Sequence, residues 1–221
     1  MTTNPHIYAI HDPGGEHLLS RCGWVVFTEA VGADPGDRSG RDYSQWSGQG
    51  LGVIVRLNHS YGEGAGTIPT EDKYGNFAQR CANFVAASRG ATYFVVGNEI
   101  ALAWERPIAG VPITLSTYAR CYRMAYDAIK ATTPTAQVAP AAVAPWNDGT
   151  PDARDWVDQL RTMLNMLSSR VDWICLHAYT RGYGGGCFAT GAKMSPPYTH
   201  RYAGWETLYE FMQAIHSGLR S

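Results

Sequence analysis

Six short apolar runs recur along the chain, and each of them ends in polar residues that are followed by a loop. The runs are rich in β-branched and aromatic residues and carry few polar positions, a pattern typical of strands that are buried on both faces. They cover residues 7–11, 25–29, 52–58, 93–96, 137–143 and 171–177. Strands of this kind belong to parallel sheets that are covered by helices.

Helical patterns follow or precede the later runs. Residues 71–89 carry an apolar stripe at three- and four-residue spacing, and Gly90 supplies the stop signal. Further helices are predicted over residues 116–131, 152–167 and 205–219. The alternation of strands and helices predicts a parallel α/β fold.

Two parallel architectures fit this pattern, an open doubly wound sheet and a barrel. An open sheet collects its polar residues at one switch point, whereas a barrel brings the ends of many strands to a common site. Because polar residues end nearly every run, the sequence favours a TIM (β/α)8-type barrel of which six β/α units are visible. We assign all 221 residues to one such domain.

Charge and hydropathy argue against several classes of partner. The formal net charge is −1 and no basic run is present, so nucleic acid is not an expected partner. No segment approaches the ~20 consecutive apolar residues of a membrane span, and the N-terminal residues lack the pattern of an export signal. We therefore predict neither a membrane partner nor a signal peptide in this chain.

The five cysteines give no sign of a metal site or of a disulfide framework. Their number is odd, and their spacing fits no zinc motif. They are Cys22, Cys81, Cys121, Cys175 and Cys187. Buried thiols are the expectation, and no cofactor or metal is predicted; Cys81 and Cys121 lie on successive predicted helices.

Glu99 is the first catalytic candidate. The run 93–96 stops abruptly in Gly97-Asn98-Glu99, which puts a carboxylate at the carboxyl end of a buried strand, where parallel α/β folds keep their chemistry. Hydrolysis of a glycosidic bond with retention needs two carboxyl groups about 5 Å apart, one of which protonates the leaving oxygen. Glu99 suits that role, and Asn98 suits binding of a ring hydroxyl. The alternative is that Glu99 caps a helix or pairs with an arginine.

With these residues the chain resembles clan A of the glycoside hydrolases, which are TIM barrels whose fourth strand ends in Asn-Glu. The pair is Asn98-Glu99 here, and the sequence His177-Ala178-Tyr179 after the sixth run also resembles the clan. The resemblance implies that Glu99 is the acid/base and that His177 and Tyr179 line a sugar subsite. It covers nearly the whole chain in layout, but only the Asn-Glu pair is a specific motif.

The second carboxylate departs from the clan pattern, in which the nucleophile is a glutamate at the end of strand seven. No apolar run ending in Glu follows residue 195, so strands seven and eight are not visible. Glu29 and Glu105 are the remaining candidates, although a structural ion pair with Arg56 or Arg106 is the favoured interpretation for each. We therefore expect a barrel that is truncated at its C-terminus, or one whose open edges associate with another chain.

Several other polar and aromatic residues fall at predicted strand ends and form the expected sugar-binding set. The chain is 12% aromatic, and Trp and Tyr rings offer flat faces on which sugars stack. The set is His11, Asn58, His59, Trp146, His177 and Tyr179. A metal site built from His11, His59 and His177 is a competing interpretation, although no HxH or HExxH spacing supports it.

The sequence thus predicts a glycoside hydrolase that acts on a β-linked oligo- or polysaccharide by a retaining-type mechanism. The first alternative is a catalytically silent barrel that binds carbohydrate, because the strand-seven glutamate is not visible. The second alternative is a metal-dependent α/β hydrolase, which would need a metal ion at the three histidines.

Overall fold

A parallel sheet of five strands forms the centre of the molecule in the computed structural model, which describes residues 8–19, 23–179 and 191–218. The strands are β1 (Ala9–His11), β2 (Trp24–Ala30), β3 (Gly52–Asn58), β4 (Tyr93–Val96) and β5 (Gln137–Pro140). Each strand pairs in parallel with the next one in sequence, in the order β1-β2-β3-β4-β5. This order is that of a barrel and not of a doubly wound sheet, which reverses direction at a switch point. The barrel is incomplete, because β1 and β5 each have one strand neighbour among the described residues.

Helices cover one side of this sheet. They are α1 (Ser44–Ser47), α2 (Tyr74–Ala87), α3 (Leu115–Thr132), α4 (Trp156–Leu167) and α5 (Thr207–Gly218). The four long helices predicted from the sequence are present, with ends that differ by a few residues. The first of them begins in the structure with a 3-10 turn at Glu71–Lys73, and Gly90 adopts a positive φ of 79° beyond its end.

The two faces of the sheet differ in burial. In β2, Val25 and Phe27 are fully buried under the helices, whereas Trp24, Val26 and Thr28 are half-buried. Burial on both faces was the sequence prediction, and it is wrong for the inner face. The physical reason is that successive side chains of a strand point to opposite sides, and the inner side of an incomplete barrel stays open to solvent.

Tyr118 of α3 fixes the carboxyl ends of β4 and β5. Its hydroxyl donates to the Val96 carbonyl at 2.8 Å and accepts the Ala141 N–H at 2.6 Å. Both main-chain groups lie just where a strand stops, so their hydrogen bonds are made inside the protein. The loops that leave β4 and β5 therefore start from fixed positions.

The sixth predicted strand, residues 171–177, is not a strand in the structure. Asp172 interrupts the pairing, because its carboxylate accepts the Val138 N–H at 2.9 Å in place of a main-chain carbonyl. The Asp172 N–H still reaches the Val138 carbonyl at 3.1 Å, and the carboxylate pairs with Lys130. The segment thus runs beside β5, in the place of the next barrel unit, without forming a ladder.

Two thiols predicted to be buried, Cys81 and Cys121, lie fully buried on α2 and α3 as free cysteines. Burial raises the pKa of both thiols well above its usual range. Cys175 is half-buried and also free, while Cys22 and Cys187 lie outside the described residues. Within the described ranges, no helix has both the length and the apolar character required to cross a membrane.

Candidate active site

The backbone turns sharply where β4 ends. Gly97 has a φ of 84°, and Glu99 has a φ of 30°, which is in the left-handed region that L residues seldom adopt. The Glu99 N–H donates to the Ala142 carbonyl at 3.1 Å and ties this turn to the loop after β5. A non-glycine residue held in this region costs about 1–3 kcal/mol, and such strain clusters at functional sites.

The Glu99 carboxylate is hydrogen-bonded to His177. Its Oε1 atom lies 2.6 Å from Nδ1 of His177, and both side chains are less than one-fifth exposed. In the tautomer that carries its proton on Nδ1, His177 donates to this oxygen. The imidazole therefore fixes the position of the carboxylate.

Asn98 is held at both ends of its amide. Its Oδ1 atom accepts from Nη1 of Arg56 at 2.9 Å, and its Nδ2 atom donates to Oε1 of Glu105 at 2.7 Å. An amide nitrogen carries two hydrogens, so the second N–H of Asn98 remains for a ligand. The Arg56–Asn98–Glu105 chain thus fixes the orientation of the Asn98 side chain.

Glu105 is the buried end of this chain. Burial raises the pKa of its carboxyl group, while the Asn98 amide and the Arg56 guanidinium partly offset that effect. The negative charge of Glu99 also acts to raise the pKa. Glu105 is 7% exposed, and it accepts the hydrogen bond that orients the Asn98 side chain.

A cavity of about 250 Å³ lies inside the incomplete barrel next to these groups. Its floor is apolar and comes from the inner face of three strands, through Val26, Ile54 and Val95. The other lining residues are His11, Arg56, Asn98, Ala142, Cys175, His177 and Tyr179. No carboxylate is among the described lining residues. Glu99 does not line the cavity itself, but it contacts His177, which does.

His11, His177 and Tyr179 are the sequence-predicted residues that line this cavity together with Asn98. The Tyr179 ring is 48% exposed, and its centroid lies 5.6 Å from that of His177. Burial raises the pKa of the Tyr179 hydroxyl to about 12, and the Glu99 charge adds to the effect. The Tyr179 side chain thus presents an uncharged phenol and an open aromatic face at the cavity mouth.

Trp146 supports this aromatic face without lining the cavity. Its ring centroid lies 6.4 Å from that of Tyr179, and its Nε1 atom donates to the Tyr202 carbonyl at 3.3 Å. Its φ of 62° is positive, as is that of Glu99. The ring is half-buried and packs against the core.

The Glu29 carboxylate, a candidate for the second catalytic group, is held on the other face of the sheet. Oε1 of Glu29 accepts from Arg41 at 2.6 Å and from the Tyr43 hydroxyl at 3.0 Å. Strand alternation explains the error, since Glu29 shares its face with the buried Phe27. The structural ion pair favoured from the sequence is present, but its partner is Arg41 and not Arg56 or Arg106.

Asn58 and His59 do not reach the cavity. Asn58 is 1% exposed and accepts from the Thr67 hydroxyl at 3.1 Å. The His59 ring packs against Phe77, and its Nδ1 atom lies 2.9 Å from the Ala65 carbonyl oxygen. Both side chains hold the glycine-rich loop that follows β3, which is a structural role that strand-end position alone did not reveal.

The three histidines proposed as a metal site therefore do not converge, because His59 faces α2 while His11 and His177 line the cavity. Within residues 8–19, 23–179 and 191–218, no group of three His, Cys, Asp or Glu side chains is arranged to hold a metal ion.

Arg56 and Cys175 are lining residues that sequence reasoning did not assign to the site. The strand period contained the signal for Arg56, because it lies two residues after Ile54 and thus on the same inner face. Its Nε atom is buried and has no hydrogen-bond partner among the residues that the structure describes.

Three solved structures show the same fold at low sequence identity. A family 44 xyloglucanase from Paenibacillus polymyxa is 13% identical with a TM-score of 0.56, and the match covers 97% of this chain and 64% of that chain. A family 39 glycoside hydrolase from Bacteroides cellulosilyticus is 15% identical with a TM-score of 0.53, over 78% of this chain and 38% of that chain. A glucosidase from Croceicoccus marinus is 16% identical with a TM-score of 0.51, over 71% of this chain and 38% of that chain.

The chain therefore has the fold of glycoside hydrolase TIM barrels, and the resemblance to clan A is confirmed for the fold. It spans less than two-thirds of the length of each of these three structures. No family model and no curated protein matches the sequence.

Proposed function

We propose that the chain is a glycoside hydrolase acting on a β-linked oligo- or polysaccharide, with Glu99 as the acid/base. The contact between Glu99 and His177, at 2.6 Å beside the cavity, carries this proposal. A carboxyl group fixed in this way at the carboxyl end of a barrel strand is suited to proton transfer to a glycosidic oxygen.

In the first half of a retaining reaction a nucleophilic carboxylate bonds to the anomeric carbon, the bond from that carbon to the oxygen of the leaving sugar breaks, and Glu99 gives its proton to that oxygen. It then takes a proton from the attacking water in the second half of a retaining reaction. His177 is a positioning residue, because it holds the carboxyl oxygen that is not transferring the proton. Asn98 offers its remaining N–H to a sugar hydroxyl, and Arg56 keeps that amide in place.

The apolar floor and the Tyr179 ring give the cavity its affinity for a sugar. Sugar rings have apolar C–H faces that pack on aromatic and aliphatic side chains, while their hydroxyl groups meet polar residues at the rim. Tyr179, Val26 and Ile54 supply the first kind of contact.

The retaining mechanism also needs a nucleophile about 5 Å from Glu99. Glu29 is held by Arg41, and Glu105 is buried with a raised pKa, which disfavours the ionised form that a nucleophile requires. The lack of a carboxylate among the described lining residues is the observation behind the second candidate function, a barrel that binds carbohydrate without hydrolysing it.

Hydrolysis and binding assays on one protein sample distinguish the two functions. Release of reducing ends from β-linked glucan, xyloglucan and mannan is measured together with calorimetric binding of soluble fragments of the same glycans. Hydrolysis of at least one glycan is the expected result. Binding without hydrolysis would support the carbohydrate-binding barrel, and the absence of both would refute the two functions.

A further inference from the structure

A second pair of a carboxylate and a histidine lies at the cavity inside the barrel. Nδ1 of His11, the last residue of β1, is 3.1 Å from Oδ2 of Asp12. His11 lines the cavity of about 250 Å³, as His177 does. The cavity therefore meets an imidazole from each end of the sheet, and each imidazole contacts a carboxylate, Asp12 in one case and Glu99 in the other.

The main chain holds Asp12 against the wall of this cavity. Its N–H donates to the Val26 carbonyl at 2.9 Å, and the Val26 side chain belongs to the apolar floor. The φ of Asp12 is 66°, which turns the chain sharply as it leaves β1. Strain of this kind clusters at functional sites, and Glu99 shows it as well.

One carboxylate oxygen of Asp12 is free for chemistry. His11 contacts Oδ2, whereas Oδ1 makes no hydrogen bond to any residue that the structure describes. The side chain is 67% exposed. Aspartate carboxylates in contact with water are ionised at neutral pH, and the ionised form is the one that a nucleophile requires.

The strand order places Asp12 opposite Glu99. β1 lies three places from β4, whose end leads to Glu99, in the order β1-β2-β3-β4. In an eight-stranded barrel the seventh strand also lies three places from the fourth, on the other side. The ends of strands one and seven are therefore equally far from the end of strand four. Asp12 thus has the same strand spacing from the acid/base as the nucleophile of clan A.

Tyr61 supplies independent support for this arrangement. Burial raises the pKa of its hydroxyl, the Arg56 charge lowers it, and the charges of Asp12 and Glu105 add to the effect of burial. Charges act strongly only over short distances in salt solution. One side chain thus lies close to Asp12 and also to the chain of hydrogen bonds that orients Asn98, the residue before Glu99.

We propose that Asp12 is the nucleophile of the retaining reaction in which Glu99 is the acid/base. The inference rests on the proposed function and supplies its second carboxylate. Oδ1 of Asp12 bonds to the anomeric carbon, and the bond from that carbon to the leaving oxygen breaks. The electron pair of that bond stays on the oxygen, which takes the proton of Glu99.

The second half of the reaction restores both carboxyl groups. Water attacks the anomeric carbon of the sugar ester, gives a proton to Glu99 and releases the Asp12 carboxylate. His11 is a positioning residue, because it contacts the Asp12 oxygen that does not attack.

Trapping of the sugar ester tests the proposal directly. The full chain is incubated with 2,4-dinitrophenyl 2-deoxy-2-fluoro-β-glycosides of cellobiose, xylobiose and mannobiose, and peptide mass spectrometry locates the label. The fluorine slows hydrolysis of the ester, and the leaving group departs without an acid. The same labelling of Glu99→Gln therefore does not depend on the role of Glu99. We expect a label on Asp12 in both proteins from at least one of the three reagents.

Two substitutions of Asp12 test its role in turnover. Asp12→Asn keeps the shape of the side chain, and Asp12→Gly accepts a positive φ without strain. Both should lower kcat by roughly 10³-fold or more. Sodium azide should partly restore the activity of Asp12→Gly and give an α-glycosyl azide, because azide attacks from the side that the carboxylate has vacated. Asp127→Asn, which changes an exposed carboxylate on α3, is the control and should keep the wild-type rate.

A label on any residue other than Asp12, or no label from any of the three reagents, would overturn the proposal. Rates near the wild-type value in Asp12→Asn would do so as well, and this variant covers the case in which Asp12→Gly fails to fold. The outcomes also separate Asp12 from Glu99. A labelled Asp12 together with normal glycan turnover by Glu99→Gln would refute the acid/base and leave the nucleophile standing. An active retaining enzyme that is labelled elsewhere would refute Asp12 and leave the hydrolase standing.

Discussion

Oε1 of Glu99 and Nδ1 of His177 lie 2.6 Å apart, although the two residues belong to loops that follow different units of the barrel. The parallel order of the strands brings these loops to the same end of the sheet. The site therefore depends on the barrel layout.

Replacement of His177 by Ala removes the group that positions the Glu99 carboxylate. A hydrogen bond to a charged group is worth about 1.5–3 kcal/mol, so kcat should fall roughly 10- to 100-fold. KM should change little, and the pH profile of kcat should shift, because the environment of the acid/base has changed. The measurement is steady-state kinetics over a pH series on the best glycan substrate.

His216→Ala is the control for this experiment, because His216 lies exposed on α5. A double variant of His177 and Glu99 should be no slower than Glu99→Gln alone, since the two residues act together. An unchanged pH profile with a large rise in KM would contradict a positioning role for His177.

Substitutions of Tyr179 and Trp146 should have different effects, the first on sugar binding and the second on the stability of the fold. Tyr179 is exposed, and about 50 Å² of ring covered by a sugar is worth about 1.2 kcal/mol, which is close to ten-fold in affinity. Tyr179→Ala should therefore weaken oligosaccharide binding with little change in the thermal midpoint. Trp146→Ala should instead cost about 2 kcal/mol or more of unfolding free energy, because the ring packs on the core. The opposite pattern would reverse the two roles.

Glu105 should make the stability of the protein depend on pH. Burial raises its pKa in the folded state, so the folded protein holds this proton more tightly than the unfolded chain does. Its contribution to stability is complete below the unfolded value of 4.5 and is lost as the pH rises through the raised folded pKa. As the pH rises from 4.5 through the raised folded pKa, the free energy of unfolding of the wild type should fall relative to that of Glu105→Gln. Urea unfolding of both proteins at a series of pH values measures the difference, and parallel curves would contradict it.

Self-association through the open side of the barrel stays a prediction. β1 has one strand neighbour among the described residues, and an unpaired strand edge invites pairing with another chain. Sedimentation equilibrium should give a mass above that of the monomer. Ala9→Lys should lower this mass because it places a charge on the β1 edge, whereas Ala131→Lys, at an exposed position of α3, should not. A monomer at all concentrations would contradict the prediction.

The five strands and the long helices were predictable because apolar runs and helical spacing are local features of the sequence. The limits of this approach are visible at Asp172, whose side chain takes the place of a main-chain partner and ends strand pairing. They are visible again at Glu29. The direction in which its side chain points decides its role, and its position at a strand end does not reveal that direction. Long-range contacts of this kind are set by packing between loops, and no local pattern encodes them.

Asn98 and His177 illustrate what the sequence did supply for the site. Both were selected as strand-end residues, and both line the cavity. Their specific partners are Arg56 and Glu105 for Asn98 and Glu99 for His177. These contacts depend on how β3, the loop after β4 and the segment 171–177 lie relative to one another. The catalytic role of each residue stays a prediction until activity is measured.

The most direct test of the account is the activity of Glu99→Gln on a natural glycan, with the anomeric form of the released sugar followed by NMR. Glu99→Gln keeps the shape of the side chain and removes its acid, so the rate should fall by about 10²- to 10⁴-fold, while glycan binding remains. Glu71→Gln, which removes an exposed carboxylate paired with Arg120, should retain the wild-type rate. The wild type should release its product with retained configuration. A normal rate for Glu99→Gln would contradict the assignment of Glu99 as the acid/base.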